Sequence, residues 1–501
     1  MKIKYAALFI FLCINFLYIK LCAQQRMEFG LNSTYVDSTL DDLIESPKPF
    51  INFAKQNYID YLRYPGGLES RTFFWDKPLL IPQARRLYAA TLKTKYSDKE
   101  SKAEHNERLA NNQIVKDSSY RDFLRFCKRS SIKPVIVLGI WFYHDDKNVY
   151  AMQSETGGLN NPNWSVIEKN IKEQAAYSHK TYSDVIHWEI GNEDQHIFSA
   201  KDYAEIAYHY ASAIKSLYPS DKILVNFTLN PESKKVEDNW NEDMFNYLSS
   251  KNAVSLIDYI APHYYKAFKD EESNDNLSSS SGDLQKRFTK VNIYNTVTGF
   301  DNFFQKYPNV HMFITEFGLF KKSSNPNYNS QLEGLLMLYY LMQFNATPRL
   351  DAIIRHGFTQ TSSAFYFNDK TFKKLNYSFD PADDPSDNIF KYIPPIAKST
   401  KLFFDNNPVK ANKAVTTSNY GYTITSYAGT TIINILNFTA NPVNISTGDL
   451  EVNLTGKKAS FKSYQFNDLH SKQWNYEKTT VKISSAIQVA PFSYSVITFS
   501  N

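Results

Sequence analysis

The chain has 501 residues, with 56 Lys and Arg against 51 Asp and Glu, 43% hydrophobic residues, 15% aromatic residues and 3 cysteines. That length and apolar content exclude a disordered chain and a disulfide-stapled miniprotein, and they allow a large core with a second domain. A formal charge of only +5, with no basic stripe and no nucleic-acid motif, excludes a nucleic-acid partner.

Residues 1–23 open with Lys2 and Lys4, continue through an apolar run from Tyr5 to Tyr18 and end on the small residue Ala23. This pattern predicts a cleaved secretory signal peptide and a secreted or periplasmic product. A lipid anchor at Cys22 is the alternative, disfavoured because Lys20 and Leu21 stand where small residues are expected. Cleavage removes Lys2, Lys4 and Lys20, which takes the charge from +5 to +2, and it removes Cys13 and Cys22. Cys127 then has no partner for a disulfide. No later segment offers about 20 consecutive apolar residues, so no membrane span is expected.

From Arg26 the sequence alternates short β-like runs with longer amphipathic stretches, the pattern of βα units around a parallel sheet. Eight strands are predicted: Arg26 to Asp37, Tyr58 to Pro65, Lys133 to Trp141, Asp184 to Ile190, Lys222 to Thr228, Leu256 to His263, His311 to Glu316 and Asp351 to Phe358. Between them, Ser199 to Leu217 places Tyr203, Ile206, Ala207, Tyr210 and Ile214 on one helical face. Eight such units, with no Gly-rich dinucleotide fingerprint, predict an α/β fold of the (β/α)₈ TIM-barrel type over residues 24–407. A lean barrel needs only about 250 residues. The surplus is expected in the loops Gly66 to Ser118, Lys266 to Arg287 and Thr359 to Asp387, each after the carboxyl end of a strand.

Beyond Asn407 the runs become short, alternating and rich in Thr, Tyr, Ile and Val. Tyr420 to Ser426, Thr430 to Phe438, Leu450 to Leu454, Ala459 to Phe466, Thr479 to Ser484 and Phe492 to Phe499 predict a C-terminal antiparallel β-sandwich domain over 408–501. With no flexible linker before it, this domain should pack against the barrel wall.

Two carboxylates fall where barrel active sites are built. His187-Trp188-Glu189-Ile190-Gly191-Asn192-Glu193-Asp194 ends the fourth strand, and Phe313-Ile314-Thr315-Glu316-Phe317-Gly318 ends the seventh. Strands four and seven face each other across a barrel mouth. A facing pair of carboxyl groups, one protonated and one ionised, is what cleavage of a glycosidic bond requires.

These segments resemble the retaining glycoside hydrolases of clan A, which share a (β/α)₈ barrel, an Asn-Glu acid/base after strand four and a Glu nucleophile after strand seven. The resemblance implies Glu193 as acid/base, Glu316 as nucleophile and Asn192 as a ligand of the sugar 2-hydroxyl. Arg63-Tyr64-Pro65-Gly66-Gly67 is similar to a stretch of the α-L-arabinofuranosidase and β-glucuronidase/heparanase-like families, which implies Arg63 beside the nucleophile. Pro262-His263-Tyr264-Tyr265 resembles the clan's His-x-Tyr, which implies His263 at the site and a hydroxyl of Tyr265, or of its neighbour Tyr264, on Glu316. Asp194 departs from the pattern, because a proline often follows the Asn-Glu pair. The implied activity is hydrolysis of O-glycosidic bonds in a polysaccharide or oligosaccharide, with a carbohydrate substrate and no cofactor. A non-catalytic carbohydrate-binding barrel and a transglycosylase using the same pair remain open.

Glu189, deeper in its strand, is expected to be buried and hydrogen-bonded. Trp141, at the end of strand three, is a candidate sugar platform, as is Trp75, though core packing explains either ring equally well. His144, His196 and His356 also fall near strand ends, with surface or core roles as the default. No His-x-x-x-His or carboxylate cluster of metal spacing is present, so no metal is expected.

Overall fold

The computed structural model describes residues 26–32, 47–95, 119–154, 157–229, 239–265, 299–318, 330–356, 395–450, 452, 459–466, 469, 477–481 and 486–500. The expected signal peptide with Cys22, the loops Lys266 to Arg287 and Thr359 to Asp387, and the second half of the loop from Gly66 to Ser118 lie outside these residues.

Eight parallel strands close into a barrel: β1 (Glu28–Asn32), β2 (Ile59–Tyr64), β3 (Lys133–Leu138), β4 (His187–Ile190), β5 (Lys222–Phe227), β6 (Tyr259–Tyr264), β7 (His311–Phe317) and β8 (Leu350–Arg355). Each strand pairs with its neighbours in the sequence, and β1 pairs with β8 to complete the ring. The two-residue alternation of a strand sorts their side chains. Tyr61, Val135, Leu224, Ala261, Phe313 and Ala352 fill the barrel interior, while Leu62, Ile136, Ile223, Ile260, Met312 and Ile353 belong to the cluster under the surrounding helices.

The helices follow from the same periodicity. Helix α1 (Ala200–Leu217) buries Tyr203, Ile206, Ala207, Tyr210 and Ile214, the face expected from their spacing. The Ser199 side chain accepts a hydrogen bond from the Asp202 N–H and caps its first turn. Helix α2 (Gln331–Ala346) is buried at every position, and its sequence is apolar all round. It lies against α3 (Pro395–Asn406) on one side and the C-terminal sheet on the other.

That sheet has six strands in the order β9 (Lys413–Thr416), β10 (Tyr420–Tyr427), β11 (Thr430–Asn437), β16 (Ser493–Ser500), β13 (Ala459–Gln465) and β14 (Glu477–Val481). A two-stranded sheet of β12 (Val443–Ser446) and β15 (Ala486–Val489) completes the sandwich. Alternation again decides which face meets what. Ile433, Ile435, Ile497 and Phe499 pack on Ile445, Ile487 and Val489, whereas Ile432, Leu436, Tyr494 and Val496 join the barrel's outer core. Thr416 bonds both Tyr339 and Gln343 of α2, fixing the sandwich on the barrel wall.

Three short strands, β9, β12 and β15, were not expected; β12 buries one side chain, Ile445, so its apolar alternation is too brief to read. The predicted strand Leu450 to Leu454 is corrected at its described positions: Leu450 lies in a turn and Val452 outside any strand. Cys127 is a free, buried thiol of the helix Ser119–Ser130, and burial holds its pKa well above the ordinary range. No helix among the described residues is long and apolar enough to cross a membrane.

Candidate active site

The upper part of the barrel interior is polar, and its centre is Arg63. The in-out alternation of β2 turns Arg63 inward above Tyr61, with no exposed surface. Its Nε and Nη2 donate to the two oxygens of Glu189, at 2.5 and 3.1 Å, while Nη1 donates to Glu316 Oε1 at 2.5 Å. Nη2 also reaches Asn192 Oδ1 at 2.7 Å, and Nη1 reaches Asn32 Oδ1 at 3.3 Å. Glu189 is fully buried and takes a further hydrogen bond from the Thr315 hydroxyl. It is therefore a structural partner of Arg63, as its depth in the strand suggested.

Above this layer the chain ends of β4, β6 and β7 bring four sequence candidates together. The pairing of β7 shifts register against both β6 and β8, and these irregularities turn Glu316 into the mouth beside His263. Glu316 is 4% exposed. Tyr265, not its neighbour, donates its hydroxyl to Glu316 Oε2 at 2.6 Å. Tyr264 is buried among Tyr340 and Phe344 on the helix side. His263 Nδ1 stands 3.0 Å from Glu193 Oε1 and 3.5 Å from Glu316 Oε2, and its Nε2 is 3.8 Å from Glu189, an ion-pair distance too long for a hydrogen bond.

The two glutamates sit in unlike surroundings. Burial alone would raise the Glu316 pKa, but His263, Arg63, the His356 imidazole and the Tyr265 hydroxyl outweigh it and hold the carboxylate well below its usual range. Glu193 is more exposed, with 37% of its side chain accessible. Its burial also acts upward, and the hydrogen bond and charge of His263 bring it below the usual range, while the charge of Glu316 pushes it up. For His263, burial opposes protonation; the charge of Glu316 and the contacts with Glu189 and Glu193 override it and raise the pKa to about 10.

A stability consequence follows. An imidazole raised from 6.5 to about 10 on folding contributes stability that is fully present below pH 6.5 and is lost as pH rises through 10. Melting temperatures measured from pH 6.5 to 10 should fall more steeply for the wild type than for His263→Asn. Equal slopes would show that His263 carries no such linkage.

Trp141 requires correction as a substrate-binding residue. Its ring is 4% exposed, its indole N–H donates to Asp194 Oδ1 at 2.6 Å, and the Arg71 guanidinium covers its face at 4.8 Å. With its N–H satisfied and its face covered, it supports the turn after β4 and offers no sugar platform. Trp75 packs on Tyr177, His144 pairs with Asp76 at 3.2 Å, and His196 lies exposed on the short turn after Glu193. His356 does reach the site, 2.9 Å from the Asn32 amide and 3.9 Å from Glu316.

Sequence reasoning missed Asn32, Arg71 and the role of Asp194. Asn32 donates to Glu316 Oε1 at 3.4 Å, and Arg71 Nη2 donates to the Asn192 carbonyl at 2.9 Å. A polar residue closing an apolar strand was the available signal for Asn32; a second arginine shortly after Arg63 was the signal for Arg71.

One ligand atom from each of Glu193, His263 and Glu316 lies within 4.8 Å of the other two, a spacing that could hold a cation. The guanidinium of Arg63 on Glu316 and the proton favoured on His263 oppose a cation there electrostatically. The same spacing brings carboxylate oxygens of Glu193 and Glu316 within 4.8 Å.

No protein-family model matches the chain, and no curated protein matches it. Solved structures do. An α-L-arabinofuranosidase from Thermotoga maritima in complex with arabinose is 13% identical, with a TM-score of 0.59 over 95% of this chain and 97% of that one. A family 51 α-L-arabinofuranosidase from Bifidobacterium longum is 11% identical, with a TM-score of 0.60 over 95% and 96%. A family 30 subfamily 8 xylanase from Clostridium acetobutylicum is 10% identical, with a TM-score of 0.52 over 96% and 98%. At such identities the likeness establishes architecture alone: the chain shares the barrel-and-sandwich fold of these solved structures.

Proposed function

We propose that this chain is a retaining glycoside hydrolase that cleaves O-glycosidic bonds of a polysaccharide or oligosaccharide outside the cytoplasm. The observation that carries this reading is that an oxygen of Glu193 lies within 4.8 Å of an oxygen of Glu316, too close to leave the wider gap of an inverting pair. Retaining sites hold their carboxyl groups about 5–5.5 Å apart, whereas inverting sites need about 6.5–9.5 Å to seat a water between acid and sugar.

In this reading Glu316, held ionised by Arg63 and His263, attacks the anomeric carbon. The bond to the leaving oxygen breaks, its electron pair stays on that oxygen, and Glu193 supplies the proton. Forming the ester removes the negative charge that had pushed the Glu193 pKa up, so the pKa falls and Glu193 stays ionised, as the base of the second step must be. Water then attacks the same carbon, gives its proton to Glu193 and releases Glu316. Asn192 has its Oδ1 on Arg63, which leaves its amide N–H groups for a sugar hydroxyl. The proton favoured on His263 in the free protein must reside on Glu193 in the first step. The 3.0 Å contact between His263 Nδ1 and Glu193 Oε1 provides the route for that transfer.

The test is to offer the purified protein a panel of plant, algal and animal glycans and to follow the anomeric configuration of the first-formed product by NMR. Retention is expected. Inversion, or no sugar release from any glycan, would overturn the reading.

A further inference from the structure

Glu193 has φ 55° and ψ 33°, in the left-handed region. A non-glycine residue there costs of order 1–3 kcal/mol and persists only where its surroundings over-determine it. The surroundings converge on Asp194, which has no exposed surface. Its Oδ2 accepts the Asn192 N–H at 2.7 Å, and its Oδ1 accepts the Trp141 indole N–H at 2.6 Å, with Arg71 Nε at 3.4 Å. Its own N–H donates to Asn226 Oδ1 at 3.0 Å, and Asn226 Nδ2 returns to the Gly191 carbonyl at 3.3 Å. Gly191, at φ 79°, is needed for this closure, since a Cβ there would overlap Asp194 Oδ2.

We propose that Asp194 is the positioning residue for the acid/base: its buried carboxylate pins the turn from Gly191 to Asp194 to Trp141 and Arg71, and so holds Glu193 in the left-handed conformation that aims it across the mouth at Glu316. Asp194 touches no reacting atom and acts through Glu193. The inference rests on the glycosidase reading above, with Glu193 as proton donor. Misplacement of a donor by a fraction of an ångström costs rate only where a proton must be delivered.

The experiment compares kcat/KM on two glycosides of the same accepted sugar, one with a 2,4-dinitrophenol leaving group that departs unprotonated and one with an unactivated alcohol. Asp194→Ala should lose about 100-fold on the alcohol glycoside, but less than about threefold on the dinitrophenyl glycoside. Trp141→Phe, which removes the indole donor and part of the ring but leaves Asp194 in place, should show the same selectivity at about tenfold. Equal losses on both glycosides, or no loss on either, would overturn the proposal. If Asp194→Ala does not fold, Trp141→Phe carries the comparison. A crystal structure of either variant gives a readout that needs no activity: Glu193 should leave its left-handed φ, and a retained φ overturns the proposal. A wild type inactive on every glycoside would count against the glycosidase reading, while this structural outcome would still decide the positioning role.

Discussion

Glu316→Ala should lower kcat/KM by about 10⁶-fold, the scale seen when a covalent nucleophile is deleted, and azide should restore part of the loss. The carboxylate has no substitute: Glu189 is tied by both oxygens to Arg63, and Glu193, though close, is committed to the proton of the leaving oxygen. Its removal leaves a space facing Arg63 Nη1, the Tyr265 hydroxyl and His263 Nδ1, three groups arranged to stabilise an anion. Azide in that space attacks the anomeric carbon from the nucleophile's side, so the glycosyl azide should have the configuration opposite to the substrate. In Glu193→Ala, by contrast, azide can attack only the intermediate formed on Glu316, and the azide product should keep the substrate's configuration. The opposite outcomes assign the two roles separately. Undiminished hydrolysis in Glu316→Ala would remove the double-displacement reading altogether. The variant should remain folded, because Arg63 keeps its fork on Glu189 and the core below is untouched.

The barrel was legible because its strands are short, largely apolar runs between amphipathic segments, and several carry a polar residue near the carboxyl end, as Asn32, Arg63, His263 and Glu316 do. The pairing of β7 and β6 ends was legible only through resemblance, since the register shifts that turn Glu316 inward have no sequence marker. Position in a strand told Glu189 from Glu193, but not the partner of Glu189. Arg63 meets it across the barrel interior from β2, a strand that pairs with β3 and not with β4. Trp141 shows the limit most clearly. An aromatic ring at a strand end reads as a platform until Asp194, 53 positions away, claims its N–H and Arg71 covers its face. In the sandwich, strands with long alternation such as β11 were readable, whereas four-residue strands with at most two buried side chains were not.

Arg63→Met should destabilise the protein by about 3–5 kcal/mol, the usual cost of stranding a buried charge, and should cripple catalysis in the molecules that still fold. Among the described residues the guanidinium donates to Glu189, Glu316, Asn192 and Asn32, acceptors that lie at or just below the barrel mouth. Its loss strands Glu189, which is fully buried with the Thr315 hydroxyl and the more distant His263 beside it. It also removes one of the charges that hold Glu316 ionised. The sign is fixed by that contribution: Arg63 lowers the Glu316 pKa, so without it the pKa rises, and the acidic limb of the kcat/KM profile should move to higher pH. Arg63→Lys should show the same shift at smaller size, because an ammonium cannot fork onto Glu189 and reach Glu316 and Asn192 together. Stability and catalysis can be separated with a second substitution. Adding Glu189→Gln to Arg63→Met neutralises the stranded carboxylate, so part of the lost stability should return. The shifted acidic limb should not return, since Glu316 still lacks its cation. Additive destabilisation in the double variant would show that Glu189 and Arg63 are not coupled. An unmoved acidic limb in all three variants would show that Glu316 owes its ionisation to His263, His356 and Tyr265 and not to Arg63.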